Sequence, residues 1–355
     1  MKNLKIVICG CGKMGLVITQ YLFKTEAQII AAFDHNAKVG IDLGTIYNQK
    51  ETGIIIDDIR NLKNFLQNNK PDICIVATKS LLKDVYEIFY TCACAGVNVI
   101  SICEEAFFPQ NSSPKLTSKL DEIAKQNNCT ICGTGYQDVA WGYLITTMAG
   151  SLFEISKIKG RSSYNVEDYG MALAKAHGVG LSLEQFEEEL SADMSEEEQN
   201  KLIENGDFEP SYRWNTNGWI ASKLGLTVTS QTQFNRAIIA DHDLYSNTLG
   251  VDIKKSNVIG MSSVVNTKTQ EGIEIEFECI GKVYTNEEKD EYSFSIYGEE
   301  GEELITITIP EPQTVKRTCA TLINRIPDVI KAPAGYITTD QMGPPTYYVN
   351  TLNLE

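Results

Sequence analysis

The stretch Leu4–Gly15, LKIVICGCGKMG, decides the fold of this chain. An apolar run leads into Gly10, Gly12 and Gly15, spaced G-x-G-x-x-G, and an amphipathic segment at helical spacing follows. In such a strand–turn–helix unit the first glycine permits a sharp exit from the strand. The second lets the backbone approach a pyrophosphate, and the third lets the helix pack closely on the sheet. Because a helix N-terminus also favours phosphate, the stretch predicts a dinucleotide site.

The next apolar run, Gln28–Asp34, ends in a carboxylate about 20 residues after the glycines, the spacing of a ribose-binding acid. A carboxylate there can hold a 2′-hydroxyl and would repel a 2′-phosphate. The sequence therefore predicts a preference for NAD, and Lys38 leaves some use of NADP open. The residues expected to contact the cofactor are Gly10, Gly12, Lys13, Met14, Gly15, Asp34, His35, Ala77, Thr78 and Lys79.

Composition narrows the class of protein. The chain has 355 residues, 43% of them hydrophobic, and a net charge of -16, which argues against nucleic acid or an anionic membrane as the main partner. No apolar stretch approaches membrane-spanning length, and the first residues form a strand rather than a signal peptide. Most of the ten cysteines fall in or beside apolar strands, so we expect reduced thiols, no metal and a cytoplasmic location.

The order of predicted elements gives the architecture. The first part alternates apolar strands with helices, which implies an α/β fold with a doubly wound parallel sheet. After Trp141 a strand over 153–161, a long acidic helical stretch over 183–205 and several alternating strands predict an α+β domain on a mostly antiparallel sheet. We expect domains at 1–135 and 136–312, with a C-terminal helix and tail at 313–355 that return to the first domain.

Two carboxylates follow the fifth strand directly, at the sheet edge where ligands of such folds bind. Glu104 or Glu105 could take a proton as hydride leaves a substrate, whereas both could equally be solvated loop charges. The sequence alone does not fix which of the two points inward.

A second group of polar and aromatic residues could form a substrate pocket. His177 lies in a glycine-flanked loop, and Arg161 offers a cation for a substrate carboxylate. An ordinary polar connection explains the same residues equally well. The expected substrate-binding residues are Tyr136, Gln137, Trp141, Arg161, Tyr164, Tyr169 and His177.

Several segments together resemble the 2,4-diaminopentanoate dehydrogenases and native amine dehydrogenases, a branch of the dihydrodipicolinate-reductase-like oxidoreductases. The resemblance lies in the glycine turn and in the segments 76–86, 96–109, 133–135, 176–181 and 323–335. It implies an N-terminal Rossmann domain and a nicotinamide cofactor. The implied reaction is reversible conversion of a small aliphatic amine to a ketone or aldehyde plus ammonia, with Glu104 as acid/base residue. The segment GTGYQDVAWG (133–142) lacks the Asn-Pro-Gly expected of the diaminopentanoate enzymes and is closer to the amine dehydrogenase branch.

Three alternatives stay open at this point. The chain could be a 2,4-diaminopentanoate dehydrogenase proper, an acylating aldehyde dehydrogenase that uses Cys103, or a non-catalytic dinucleotide-binding sensor. The expected partners are a small amine or carbonyl substrate and ammonia, and a homodimer through the sheet of the second domain is a further expectation.

Overall fold

The computed structural model describes residues 3–47, 50–190, 194–285 and 287–347. The strands are β1 (Lys5–Cys9), β2 (Gln28–Asp34), β3 (Ile56–Asp58), β4 (Ile73–Val76), β5 (Asn98–Ser101), β6 (Thr130–Gly133), β7 (Lys157–Asn165), β8 (Val228–Ile239), β9 (Leu244–Ser246), β10 (Val251–Ile253), β11 (Val258–Thr269), β12 (Glu274–Lys282), β13 (Glu291–Tyr297), β14 (Glu303–Pro310) and β15 (Gly335–Tyr336). The α-helices are α1 (Lys13–Leu22), α2 (Leu62–Asn68), α3 (Leu82–Cys94), α4 (Pro114–Gln126), α5 (Leu144–Ala149), α6 (Met171–Ala176), α7 (Leu183–Glu189), α8 (Glu196–Asn205), α9 (Tyr212–Leu224) and α10 (Thr314–Lys331).

The chain divides into two compact units. The first contains Met1–Leu144 and Gln313–Glu355, and the second is Ile145–Pro312. The segment 136–144, which the sequence placed with the second domain, thus belongs to the first unit. The reason is local, because this segment continues directly from β6 as a π-helix over Asp138–Tyr143 and then as α5.

The first unit is built on a parallel sheet in the order β15-β6-β5-β4-β1-β2-β3. Side chains alternate along each strand, so Ile6 and Ile8 of β1 pack on the side of α1 and α10. Val7 and Cys9 face the opposite side, where α3 and α4 supply the core. Helices therefore cover both faces, and the Rossmann-like doubly wound sheet predicted from the sequence is confirmed.

The second unit holds a mixed sheet in the order β14-β13-β7-β12-β11-β8. Its neighbours pair antiparallel except β7 and β12, which are parallel. Helix α9 packs against this sheet, and Asn217 donates hydrogen bonds to the carbonyls of Val265 and Ile275. The predicted α+β unit on a mostly antiparallel sheet is confirmed, with a parallel pair at its centre.

Several element boundaries differ from the predictions. The strand expected over 153–161 is β7, four residues later, and the acidic stretch 183–205 forms two helices rather than one. Each of those helices begins with its own capping box, formed by Ser182 in α7 and by Ser195 in α8. The second capping box starts a new helix within the acidic stretch. The residues 191–193 between them lie outside the described part of the chain. Strand β8 and the β9–β10 ribbon were not predicted.

Candidate functional site

The glycine turn between β1 and α1 needs two of its glycines for steric reasons. Gly10 has a φ of 102°, and a Cβ there would lie 2.4 Å from the carbonyl oxygen of Ala77. A Cβ on Gly15 would lie 1.9 Å from the carbonyl oxygen of Gly10. The space beside Gly12 is open, since the nearest atom to a Cβ there is the Lys38 ammonium at 4.0 Å. This turn leaves room for an anion at the start of α1.

Asp34 lies at the end of β2 and is tied to the glycine turn. Its carboxylate accepts the N–H of Cys11 at 2.7 Å and the N–H of His35 at 2.6 Å. The ammonium of Lys38 donates to the carbonyl of Cys11 at 2.7 Å and lies 3.8 Å from Asp34 Oδ2. The structure therefore brings Asp34 and Lys38 together beside the turn, while the side chain of His35 is exposed.

The segment after β4 borders the same turn. The N–H of Ala77 donates to the carbonyl of Cys9 at 2.8 Å, which extends the sheet by one residue toward the turn. Ala77 and Thr78 are half-buried and Lys79 is exposed. The predicted cofactor residues of this segment thus stand at the carboxyl edge of the sheet, beside Gly10.

Glu104 and Glu105 follow β5 and have different environments. Glu105 is 3% exposed, and its carboxylate accepts the N–H of Leu82 at 2.6 Å and the hydroxyls of Ser112 and Ser113 at 2.7 and 2.6 Å. Glu104 is exposed and precedes the 3-10 helix Glu105–Phe107. Of the two carboxylates, Glu105 therefore braces the backbone, and Glu104 is the one accessible to a ligand.

Cys103 lies just before these residues, and its thiol is in a poor position to act as a nucleophile. Its side chain is 1% exposed and its thiol donates to the carbonyl of Ser80 at 3.1 Å. Burial raises the pKa of this thiol well above its ordinary value, so the nucleophilic thiolate is disfavoured near neutral pH.

The residues after β6 are packed within the first unit. Tyr136 is 7% exposed, its N–H donates to the Thr318 hydroxyl at 3.3 Å, and its own hydroxyl accepts a bond of 2.5 Å from Arg317. Gln137 is half-buried, and Trp141, 1% exposed, lies within the core rather than on an open wall.

A buried ion pair holds the π-helix over Asp138–Tyr143. Asp138 and Arg325 are both fully buried and joined by two bonds, from Nε at 2.7 Å and from Nη2 at 3.1 Å. The third guanidinium nitrogen, Nη1, donates to the carbonyl of Gly343 at 2.6 Å. Sequence reasoning missed both Arg325 and Arg317, and the one available signal was the expected return of α10 to the first domain.

In the second unit the structure groups some of the predicted residues and separates others. Tyr164 and His177 form a hydrogen bond of 2.6 Å, and the ring of Tyr169 packs edge-on against Tyr164 at 5.4 Å. Arg161 lies on the opposite face of β7, more than half exposed, with its Nε 3.6 Å from Glu278. Because side chains alternate along a strand, Arg161 does not join this cluster.

His177 is a buried, neutral imidazole. Its Nδ1–H donates to the carbonyl of Leu173 at 2.9 Å, so Nε2 accepts the Tyr164 hydroxyl. Burial lowers the pKa of His177, against a smaller opposite effect of the bond to Leu173. A Cβ on Gly281 would lie 2.6 Å from the Tyr164 oxygen, so this glycine is required beside the pair.

The described residues contain no group of three or more His, Cys, Asp and Glu side chains that could hold a metal ion. No helix among them is both long and apolar enough to cross a membrane.

Comparisons with known proteins show which family the chain resembles. Residues 141–353 match the family model of the 2,4-diaminopentanoate dehydrogenase C-terminal domain. The chain is similar to the 2,4-diaminopentanoate dehydrogenase of Acetoanaerobium sticklandii, 23% identical over 251 residues. That match covers 68% of this chain and 66% of the relative, just under two thirds of the relative's own length.

Solved structures extend the likeness over nearly the whole chain. The amine dehydrogenase from Mycobacterium smegmatis is 32% identical, with a TM-score of 0.82 and 98% of each chain covered. A probable dehydrogenase from Thermotoga maritima shares the fold at 13% identity, with a TM-score of 0.57 over 95% of this chain and 92% of that one. From its family model and its likeness to the mycobacterial enzyme, the chain belongs to the 2,4-diaminopentanoate dehydrogenase family of oxidoreductases.

Proposed function

We propose that the chain is an amine dehydrogenase, which reversibly converts a small aliphatic amine to a ketone or aldehyde plus ammonia with a nicotinamide cofactor. The observation that carries the proposal is the pair of neighbouring glutamates after β5. The buried Glu105 carboxylate is fixed by the hydrogen bond that it accepts from the N–H of Leu82. Glu104 is exposed at the sheet edge where such folds bind ligands. Family membership supports the same class of reaction.

The residues around the glycine turn fit a dinucleotide. The open space beside Gly12 suits a pyrophosphate at the N-terminus of α1, and Asp34 stands where a ribose hydroxyl would be held. We propose NAD as the preferred form, because the Asp34 carboxylate repels a 2′-phosphate, with NADP use supported by the nearby Lys38 ammonium. When bound, the nicotinamide supplies the acceptor or donor of hydride.

Glu104 moves the protons in this proposal. In the direction of deamination its carboxylate takes a proton from the substrate ammonium, which frees the nitrogen lone pair. After hydride has left the substrate carbon, Glu104 releases this proton to solvent and takes a proton from the water that attacks the iminium carbon. It returns that proton to the nitrogen of the carbinolamine, and ammonia leaves as the carbonyl forms and the hydroxyl proton passes to solvent. In the second unit we propose that the Tyr164, Tyr169 and His177 cluster contributes an aromatic surface for an aliphatic chain.

The test is a cofactor-coupled assay of Glu104→Gln. Wild-type enzyme is expected to oxidise NADH with short ketones only when ammonia is present. The variant should lose roughly 10²- to 10⁴-fold in kcat, because the base is gone, while NADH binding measured by fluorescence is retained. Glu87→Gln, which removes the same charge from an exposed position on α3, should match the wild type.

Two outcomes would refute the proposal. Reduction of the same ketones without ammonia would indicate an alcohol or hydroxy-acid dehydrogenase. Cofactor binding with no turnover of any ketone or aldehyde would favour the non-catalytic sensor. The acylating mechanism through Cys103 is disfavoured by the burial of that thiol and by its raised pKa.

Two finer points belong to the same proposal. All ten cysteines are free thiols, which supports a reducing compartment such as the cytoplasm. We also propose a homodimer through the face of the β7–β12 sheet opposite α9, on which the lysines of β7 pair with Glu276 of β12 within the chain.

A further inference from the structure

The carboxyl ends of β4 and β5 are joined by the hydroxyl of Ser101, the last residue of β5. This hydroxyl donates to the carbonyl of Val76 at 2.8 Å and accepts the N–H of Cys103 at 3.0 Å. The N–H that it accepts belongs to the residue directly before Glu104. Ser101 therefore fixes the backbone at the approach to the proposed acid/base residue.

The same serine is connected through Thr134, the residue after β6, to the buried ion pair. The carbonyl of Ser101 accepts the N–H of Thr134 at 2.8 Å, and the Thr134 hydroxyl donates to Asp138 Oδ2 at 3.1 Å. Asp138 is in turn held by Arg325. Ser101, Thr134, Asp138 and Arg325, which we call the Ser101 network, are all fully buried.

Glu104 lies between two fixed neighbours. On one side the N–H of Cys103 is held by Ser101, and on the other the N–H of Glu105 donates to the carbonyl of Ser80 at 3.1 Å. The side chain of Glu104 itself is exposed. A base must lie within hydrogen-bond distance of the proton that it removes, and a displacement of about 1 Å can cost about 100-fold in rate. The position of this backbone therefore matters for proton transfer.

The burial of charge in the Ser101 network points to positioning rather than to stability. Taking Asp138 and Arg325 out of water costs free energy that their attraction only partly returns, so apolar side chains of similar volume would stabilise the fold as well. A satisfied polar network instead selects one arrangement of the backbone around it. The π-helix that begins at Asp138 is a second sign, because such helices occur frequently at functional sites.

We propose that the Ser101 network positions the backbone of Glu104 for proton transfer. Ser101 and Thr134 are then positioning residues, which act through the backbone and do not touch the substrate. The role of Glu104 comes from the proposed function, on which this inference rests, whereas the network itself comes from the hydrogen bonds.

The test is Thr134→Val, which replaces one hydroxyl by a methyl group, with Thr130→Val as the matched control. Thr130 is 2% exposed and begins β6, and its hydroxyl donates to the carbonyl of Pro333 at 2.9 Å, outside the Ser101 network. Each variant loses one buried hydrogen bond, so both should lower Tm by about 2–4 °C.

Activity should separate the two variants. Thr134→Val should lower kcat for a short ketone with ammonia and NADH about tenfold and leave KM within about twofold, because positioning of the base fails while binding is retained. Thr130→Val should keep the kcat of the wild type. Thr134→Ser, which restores the hydroxyl, should recover most of the loss.

Hydrogen exchange of the backbone over 101–108, followed by mass spectrometry, provides a measurement that needs no turnover. Exchange should be about fivefold faster in Thr134→Val and unchanged in Thr130→Val. If Thr134→Val does not fold, Ser101→Ala decides by the same two measurements, since it removes the hydroxyl that holds Cys103.

Three results would overturn the inference: the wild-type kcat in Thr134→Val, an equal loss of kcat in Thr130→Val, or unchanged exchange over 101–108 in Thr134→Val. Failure of the proposed function is a different result, namely reduction of ketones by the wild type without ammonia. In that case the exchange rates and the kcat of that reaction still decide whether the network positions this backbone.

Discussion

Glu104 and Glu105 are the same residue type at adjacent positions, but the fold buries one carboxylate and exposes the other. A buried carboxylate must have its oxygens paired, and Glu105 meets this requirement with one N–H and two hydroxyls. Glu104 precedes the turn and remains exposed. The sequence could place both at the sheet edge, but the partners of Glu105 lie 7 to 23 residues away, so only the fold could separate them.

Asp34 and Lys38 provide a prediction about cofactor choice. Asp34→Ala should weaken the binding of NAD and raise its KM about tenfold, because the ribose hydroxyl loses its acceptor. The variant should favour NADP relative to NAD, because the charge that repels the 2′-phosphate is gone. Steady-state kinetics with both cofactors measure the ratio.

Lys38→Ala is the counterpart variant and should shift the ratio the other way. Asp34 also accepts the Cys11 N–H, so a loss shared equally by both cofactors would mean damage to the turn. An unchanged ratio in Asp34→Ala would contradict the assignment of this carboxylate.

At the scale of elements, the 3-10 helix Glu105–Phe107 links α3 to the segment before α4. The Glu105 carboxylate accepts the N–H of Leu82, the first residue of α3, and two serine hydroxyls just before α4. One buried side chain therefore sets the start of both helices relative to β5. The acid also lies at the N-terminus of α3, where negative charge is favoured.

Glu105→Ala is expected to destabilise the protein by about 3 kcal/mol, since three donors lose a charged acceptor inside the fold. Urea unfolding followed by fluorescence measures the change. Glu87→Ala, on the exposed side of α3, should change stability by less than about 0.5 kcal/mol. Equal stability of Glu105→Ala and Glu87→Ala would show that the hydrogen bonds of the Glu105 carboxylate contribute nothing to the free energy of unfolding.

The elements that sequence patterns predicted well are those with long apolar runs, such as β1, β2 and α3. Strand β15 has two residues and no pattern to detect. The π-helix over Asp138–Tyr143 differs from an α-helix only in that its hydrogen bonds span five residues instead of four, and Asp138 bonds to Arg325, 187 positions later. A contact so distant has no local signature, which is why the position of Trp141 in the core was not foreseen. Arg317 was missed for the same reason, since its partner Tyr136 is 181 positions away.

At the scale of the whole chain, the first unit is discontinuous. The family model covers 141–353 as one stretch, yet α10 within it packs on α1 and shares the core of β1 and β4. Five of its apolar residues are buried there: Cys319, Leu322, Ile323, Ile326 and Val329. The division into units thus follows packing rather than the order of the sequence.

Removal of residues 313–355 should therefore abolish folding of the first unit. Burial of the α10 side chains contributes roughly 1.5–3 kcal/mol each, and together they equal most of the stability of an ordinary domain. The fragment 1–312 is expected to lack a cooperative thermal transition and NADH binding. Ile326→Ala in the full chain should retain both, with a loss of about 2–5 kcal/mol. A fragment 1–312 that binds NADH as the full chain does would contradict this.

The discontinuity of the first unit also has a consequence during synthesis. The apolar face of β1 and β4 that α10 covers is made early, and α10 is made only after the whole of Ile145–Pro312. At ribosomal rates of about 5–20 residues per second, that interval lasts roughly 10 to 30 s. For this time the nascent chain carries an open hydrophobic surface, so its yield in the cell depends on holding chaperones more than its final stability would suggest.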